Sequence, residues 1–203
     1  MKTILLSFAA MLLLITGCKK ESNIVEKTTS PVAKGSSRTP PGFTKYTIKK
    51  GLHFADVNPY KTVDVKEMKF AVTFDSSAVY KSADPANQYD INKLYGFADN
   101  NANHHQFSAR FGWRWSDNAL RLFAYVYNDG VVASEELGAI IIGAELICSI
   151  KITATGYLFS VNDNKKLVAR TSTTATGIGY QLYPYFGGDE AAPHDVNILV
   201  KNL

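Results

Sequence analysis

The segment at residues 106–130 constrains the fold of this chain most, because its residues alternate with a period of two on both sides of one turn. The dipeptide Asp117-Asn118 is typical of a tight hairpin turn. With Ser116 placed opposite Ala119, both tryptophans and both leucines of the two arms fall on one face. A slip of one residue would move this whole set to the other face, so the register is strongly specified. The segment therefore predicts an antiparallel hairpin with one buried face.

The second face of the hairpin carries three arginines and two tyrosines. The same pairing puts Arg114 opposite Arg121 and Arg110 opposite Tyr125, with Tyr127 two residues further on. Like charges on neighbouring strands destabilise a sheet unless an acid offsets them. The arginine guanidinium suits carboxylate or sulfate, and tyrosine offers a flat face and a hydroxyl to a sugar ring. This face predicts a binding surface for an anionic polysaccharide. The alternative is that acids from neighbouring strands neutralise the arginines.

The rest of the chain after residue 42 shows the same kind of pattern, with no amphipathic helical stripe. Turn residues stand at 128–130 and 162–164, between runs of alternating residues. The pattern predicts an all-β domain made of antiparallel strands. The predicted strands are Tyr46–Ile48, Val63–Phe74, Gln106–Trp115, Leu120–Tyr127, Ala139–Ile142, Leu146–Ala154, Tyr157–Val161, Leu167–Arg170, Tyr180–Tyr185 and Val196–Val200.

Three segments carry a resemblance to a known family. They are QFSARFGWRWSDNALRLFAYVYNDG at 106–130, GYLFSVNDNKKLVA at 156–169 and YPYFGGDEAAPHDVNILV at 183–200. In strand order and spacing they resemble the jelly-roll domains of the concanavalin A-like lectin and glucanase superfamily, over residues 43–203. The resemblance implies an antiparallel two-sheet jelly-roll sandwich, one face of which commonly holds carbohydrate.

Two catalytic patterns found in jelly-roll enzymes do not occur in this sequence. Retaining glucanases place two glutamates around an aspartate at alternate positions of one strand, and no Glu-x-Asp-x-Glu run exists here. The alginate-lyase pattern includes a Gln-x-His strand, whereas Gln106 is followed by Phe107 and Ser108. Both departures favour non-catalytic binding of acidic carbohydrate over an enzyme.

Two other functions stay open from the sequence. In a polysaccharide lyase, Arg110 or Arg114 would neutralise a uronate carboxylate, and Tyr125 or a loop histidine would act on the C5 proton. In a structural subunit of an envelope complex, a protein partner would cover the same face. A glycan-binding assay and an absorbance assay for the lyase product separate the three.

Metal and cofactor sites are weakly indicated. The pair His104-His105 is expected to lie in a solvated loop, with a metal or catalytic role as the alternative. Calcium could bind near Asp189, Glu190 and Asp195, because hard oxygen ligands cluster there. A turn of ordinary charge is the favoured interpretation of that cluster, and no other cofactor is expected.

Two residue types are assigned to the core. Trp113 and Trp115 fall on the buried face of the hairpin, with a sugar-platform role as the alternative if the register differs. Cys148 alternates with Ile150 and Ile152 and is expected to be a buried, inert thiol.

The N-terminus predicts a bacterial lipoprotein leader. Lys2 precedes an apolar run at 4–15, which at about twelve residues is too short for an ordinary transmembrane helix. The run ends in LITGC at 14–18, which looks like a lipobox. We expect residues 1–17 to be removed, Cys18 to carry the lipid, and 18–42, which lack aromatic residues, to form a disordered tether. The lipid would anchor the domain at 43–203 to the cell outer membrane.

The charge of the chain limits its partners. The formal net charge is +4, and Lys2 leaves with the leader. So mild a balance argues against a nucleic-acid partner.

Overall fold

The structure is a computed structural model that describes residues 39–203. The predicted leader, the predicted lipidation site Cys18 and most of the predicted tether lie outside these residues. Within the described part, no helix is long and apolar enough to cross a membrane. The predicted all-β class is confirmed. The strands are β1 Thr44–Ile48, β2 Thr62–Val65, β3 Glu67–Phe74, β4 Asn92–Ala98, β5 Ser108–Ser116, β6 Ala119–Asn128, β7 Val131–Ile140, β8 Leu146–Ile152, β9 Gly156–Val161, β10 Asn164–Ala169, β11 Gly177–Leu182 and β12 Val196–Asn202, and two short 3₁₀ helices span Ser76–Ala78 and Pro85–Tyr89.

The strands form two sheets of six. The rear sheet has the order β1-β12-β3-β8-β9-β10, and the front sheet has the order β2-β11-β4-β5-β6-β7. All strand pairs are antiparallel. Late strands lie between early ones in both sheets, β12 beside β1 and β11 beside β2, as in a jelly roll. The predicted two-sheet jelly-roll sandwich is confirmed.

The core lies between the two sheets and is rich in aromatic rings. Phe70 and Phe74 of β3 face Phe111 and Trp113 of β5, and both ring pairs have centroids 5.5 Å apart. Trp113 is fully buried, which confirms its predicted place in the core. Cys148 is also buried, and burial raises the pKa of its thiol to about 12. The thiol is therefore protonated and unreactive at neutral pH.

The β5–β6 hairpin has the predicted register. Ser116 pairs with Ala119, and the pairing continues without a shift to the far end of both strands. Asp117 and Asn118 have φ values of +52° and +56°, the left-handed backbone that a tight hairpin turn with matching twist requires. The front sheet therefore turns the polar face of this hairpin outward.

The strand predictions differ from the structure most in three places. The run Val63–Phe74 is two strands in different sheets, because the chain leaves β2 at Val65 and enters β3 at Glu67. Strand β4 was not predicted, because it is buried on nearly its whole length and lacks polar alternation. Strand β7 begins at Val131, eight residues before the predicted start, because this edge strand is largely exposed on both faces.

Candidate functional site

The outer face of the front sheet holds a cavity of about 280 Å³. Its floor is formed by outward-facing side chains of β4, β5 and β6, and its rim by the β4–β5 loop and the segment after β11. The structure brings together Arg110, Tyr125 and Tyr127 from the predicted binding face. The other lining residues are Lys93, His104, His105, Ser108, Tyr185, Gly187 and Gly188.

The sheet geometry explains why these side chains meet. Arg110 pairs with Tyr125 and Ser108 pairs with Tyr127, so all four point to the same side of the hairpin. A β-bulge in β4 brings Gly96 opposite Arg110. A Cβ at Gly96 would overlap the backbone of β5 at Arg110, so glycine is needed for this close approach.

Arg110 is a buried cation without an acidic partner. Its side chain and backbone together are 7% exposed, and one terminal nitrogen donates to the Tyr183 carbonyl oxygen at 3.0 Å. The Nε atom is buried without a hydrogen-bond partner. No carboxylate of residues 39–203 forms an ion pair with it. Burial lowers its pKa to about 10, against the opposing effect of nearby tyrosines, so the guanidinium is still charged at neutral pH.

Lys93 lies beside Arg110 in the same cavity. Its Nζ donates to the Gly187 carbonyl oxygen at 3.0 Å and lies 5.0 Å from the centre of the Tyr125 ring. Burial, followed by the charge of Arg110, lowers the pKa of Lys93 to about 8, whereas Asp90 opposes the shift. A substantial fraction of Lys93 is therefore neutral at mildly alkaline pH, the condition for a proton acceptor.

Two other groups of the cavity, Tyr125 and His104, are held in their neutral forms. Burial, followed by the Tyr127 hydroxyl, raises the pKa of Tyr125 well above its usual range, so this phenol keeps its proton. Burial, followed by His105 and Arg110, lowers the pKa of His104 to about 4. His104 is thus partly buried and uncharged, a correction to the expectation that both loop histidines are solvated.

The rim of the cavity is fixed by backbone contacts. Gly187 has a φ of +85°, and its N–H donates to the Asn92 Oδ1 atom at 2.5 Å. Lys93 forms two backbone hydrogen bonds with Tyr185, of 2.8 and 3.0 Å. The segment after β11 therefore extends the front sheet and holds the acceptor of the Lys93 ammonium in place.

Arg114 and Arg121 do not reach this cavity. Arg121 forms ion pairs with Glu136 at 2.8 Å and Asp117 at 3.5 Å, and these two acids offset the like-charge pairing with Arg114. The Arg114 guanidinium lies 4.7 Å from the Phe123 ring and donates to the Tyr89 carbonyl oxygen at 3.0 Å. Neutralisation by neighbouring acids thus holds for Arg121 and does not hold for Arg110.

Two of the three candidate calcium ligands already bind other groups of the protein. Glu190 accepts hydrogen bonds from the backbone of Ala83 and Asp84, at 2.9 and 2.7 Å. Asp195 forms an ion pair with Lys49 at 2.8 Å. Over residues 39–203, no three histidine, cysteine or acidic side chains cluster closely enough to hold a metal ion. Calcium binding near Asp189, Glu190 and Asp195 stays a prediction, which a calcium titration would test.

Lys93 is a candidate site residue that the sequence analysis missed. It stands in NKLYGFA, a run whose other residues are almost all buried. A single lysine inside an otherwise apolar strand is itself a signal, because lysine is almost never fully buried without a reason. The signal was not usable because the strand itself was not recognised.

Comparison with known proteins finds a likeness to solved structures only. No protein-family model and no curated protein matches the sequence. Solved structures of similar fold include an alginate lyase from Chlorella virus, with 13% identity and a TM-score of 0.48 over 83% of this chain and 87% of that one. A β-1,3-1,4-glucanase (lichenase) derived from a mouse hindgut metagenome has 9% identity and a TM-score of 0.49 over 80% of each chain. A carbohydrate-binding module from Bacillus subtilis has 10% identity and a TM-score of 0.41 over 79% of this chain and 92% of that one.

At such low identities and TM-scores, the likeness concerns the fold alone and says nothing about the chemistry of the cavity. The strand order and the cavity themselves define the class of protein. This is a jelly-roll domain with a cationic, tyrosine-lined cavity on the outer face of one sheet.

Proposed function

We propose that this protein is a polysaccharide lyase that acts on uronate-containing glycans. The observation that carries the proposal is Arg110, a charged and buried guanidinium that faces a cavity and has no acidic partner among residues 39–203. An unpaired buried charge destabilises a fold. A carboxylate that enters the cavity would supply the missing partner, with the planar geometry that arginine binds best.

The surrounding groups fit β-elimination better than binding alone. Arg110 would neutralise the uronate carboxylate, which makes the neighbouring C5 proton more acidic and stabilises the charge that develops when it leaves. Neutral Lys93 Nζ would accept that proton. Tyr125, whose pKa is raised, would donate its proton to the O4 atom as the C4–O4 bond breaks. The C5–H and C4–O4 bonds are thereby replaced by a C4=C5 double bond and a new hydroxyl.

Non-catalytic binding of acidic carbohydrate, which the sequence favours, needs only the arginine and the tyrosines. The position of Lys93 favours the lyase. A lysine whose pKa is brought to about 8 is poised for proton transfer near neutral pH, and such shifts cluster at catalytic sites. A binding module would gain more from a fully charged lysine beside Arg110.

The test is an absorbance assay for the conjugated double bond on a panel of uronate polymers that differ in sugar and linkage. A neutral glucan serves as the matched control. Product absorbance with a uronate polymer and none with the glucan supports the lyase. Binding to a uronate polymer without product would replace the lyase by a binding module. Absence of both would favour the structural subunit of an envelope complex.

We also propose that the domain is tethered to the cell outer membrane by a lipid on Cys18. The support is the sequence LITGC at 14–18 after a short apolar run. Cys18→Ser in the full-length precursor should stop lipid attachment and leave the leader uncleaved. Membrane fractionation and the mass of the chain check this. A processed, membrane-bound variant would overturn the proposal.

A further inference from the structure

Tyr60 is exposed to solvent and lies beside the front sheet. Its residue is 79% exposed, the highest value among the large apolar and aromatic residues of the described chain. Its ring lies 5.9 Å from the ring of Tyr180. The neighbouring backbone is fixed, because the Gln181 N–H donates to the Lys61 carbonyl oxygen at 2.8 Å and Tyr180 pairs with Thr62. The backbone that follows Tyr60 is therefore part of the hydrogen-bonded front sheet.

A row of rings connects this position to the cavity. The Tyr180 hydroxyl lies 2.8 Å from the Nδ1 atom of His104, and their rings are 6.0 Å apart. The row continues from His104 to His105 at 4.2 Å, from His105 to Tyr127 at 5.4 Å, and from Tyr127 to Tyr125 at 5.9 Å. It runs from β11 past the β4–β5 loop to β6, so it crosses the strands of the front sheet. Isolated exposed aromatics are common on protein surfaces, but a continuous row that ends in a cavity is not isolated.

We propose that Tyr60 and Tyr180 form a distal sugar-binding subsite for the same acidic glycan chain whose uronate binds Arg110. This inference rests on the proposed function for its ligand. Tyrosine presents a flat apolar face to one side of a sugar ring, and ligand sites combine such faces with a few polar groups. Tyr60 is two ring-to-ring steps from His104 in the cavity wall, so a glycan that binds both Arg110 and Tyr60 contains more than one sugar.

The subsite gives the protein a dependence on chain length. Short oligouronates would bind in the cavity only and would not contact Tyr60. Longer ones would stack a further sugar on the exposed ring and would bind more tightly. We expect a gain of roughly two- to tenfold in kcat/KM once the chain reaches Tyr60, the range of one aromatic contact.

The experiment compares Tyr60→Ala with wild type on a size series of oligouronates prepared from each uronate polymer of the panel. Both kcat/KM and Kd are measured at each size. Tyr60→Trp keeps a flat ring and serves as the conservative variant. Leu167→Ala is the matched control, because Leu167 is a 51% exposed side chain on β10 of the rear sheet.

We expect Tyr60→Ala to match wild type on the shortest oligomers and to lose the gain on longer ones, whereas Tyr60→Trp and Leu167→Ala keep it. An equal response of Tyr60→Ala and wild type at every length, with cleavage intact, would overturn the subsite and leave the lyase standing. A length-dependent loss of affinity without any cleavage would support the subsite and overturn the lyase. Absence of both binding and cleavage at all lengths overturns both.

Discussion

Arg110 and Arg170 are both largely removed from water, but their surroundings differ in kind. The Arg170 side chain is 8% exposed, and its Nε donates to the Asp99 carboxylate at 2.8 Å, in a pair whose acid is fully buried. Its terminal nitrogens donate to hydroxyl and carbonyl oxygens of the segment at 172–176. Arg110 is as deeply buried, yet it donates one hydrogen bond, to a neutral carbonyl oxygen.

The difference separates a charge used for folding from a charge kept for a ligand. Removing a guanidinium from water is costly unless an opposite charge and hydrogen bonds replace the water. Asp99 and the 172–176 segment provide that replacement for Arg170. Arg110 lacks it in the described chain, so we expect its burial to destabilise the fold, and under the proposed function a bound uronate carboxylate supplies the missing partner. Five predictions test this comparison.

The largest expected effect is on stability, at Asp99. Asp99→Ala leaves both Arg170 and the Tyr157 hydroxyl without their 2.8 and 2.6 Å partners. We expect the free energy of unfolding to fall by about 3–5 kcal/mol, as when one member of a buried pair is removed. Denaturant unfolding measures it. Asp163→Ala, in the exposed β9–β10 turn, is the control and should change little. A loss below about 1 kcal/mol at Asp99 would contradict a folding role for the Arg170 pair.

The same pair predicts the acid limit of stability. Burial alone would raise the pKa of Asp99, but hydrogen bonds from Arg170, Tyr157 and the Asn100 N–H together lower it below its ordinary value. A carboxyl with a lowered pKa in the folded state stabilises the fold above its unfolded pKa, and this contribution is lost as the pH falls through the folded value. Asp99→Ala should therefore flatten the fall of stability on acidification.

The next effect is on activity, at Arg110. Arg110→Met keeps the apolar part of the side chain and removes the charge. We expect kcat/KM on a uronate polymer to fall by about 10²–10³-fold, as for the loss of one group that stabilises developing charge. The free energy of unfolding should stay equal or rise, because no acid is left unpaired. A loss of stability as large as that of Asp99→Ala would mean that Arg110 also stabilises the fold, and the proposed difference between Arg110 and Arg170 would be wrong.

A smaller effect is the pH dependence that Lys93 imposes. The neutral amine must accept the C5 proton, and below a pKa of about 8 the neutral fraction rises about tenfold per pH unit. We expect kcat/KM to rise with pH and to level off near that value. The charged groups that set this pKa are Arg110 on β5 and Asp90 before β4. A bound uronate carboxylate favours the ammonium, so the rise in kcat should come at higher pH than the rise in kcat/KM.

Lys93→Arg and Lys93→Ala provide the check, because neither side chain can accept the proton near neutral pH. Both variants should lose the ascending limb. A wild-type profile that is flat between pH 6 and 9, or an unchanged limb in Lys93→Ala, assigns the base to another residue. Asp90→Asn removes the acid that raises the pKa and should shift the limb to lower pH.

The parts of the fold and site that could be predicted are those whose residues alternate with a period of two. The β5–β6 hairpin alternates clearly, so its register, its turn and the shared face of Arg110 and Tyr125 followed from the sequence. Strand β4 lies in the middle of the front sheet and is buried on both faces, so alternation is absent there and Lys93 was missed. The ion pair of Arg121 with Glu136 could not be predicted either, because Glu136 lies in β7, whose extent was predicted wrongly.

The smallest expected effect is at Arg121, a partly buried arginine whose acid partners are exposed. Its ion pair with Glu136 joins side chains that are 25% and 37% exposed, where water and salt screen most of the attraction. We expect Arg121→Ala to leave the melting temperature and kcat/KM nearly unchanged, and Glu136→Ala to behave in the same way. The double variant should equal the sum of the two, since a weak pair leaves little coupling. The measurements are thermal unfolding at low and high salt and the lyase assay.

If Arg121→Ala reduced activity as strongly as Arg110→Met, the ligand would extend along β6 to Arg121. The predicted face of three arginines would then act as one surface, and acid pairing would no longer separate structural from functional arginines in this domain.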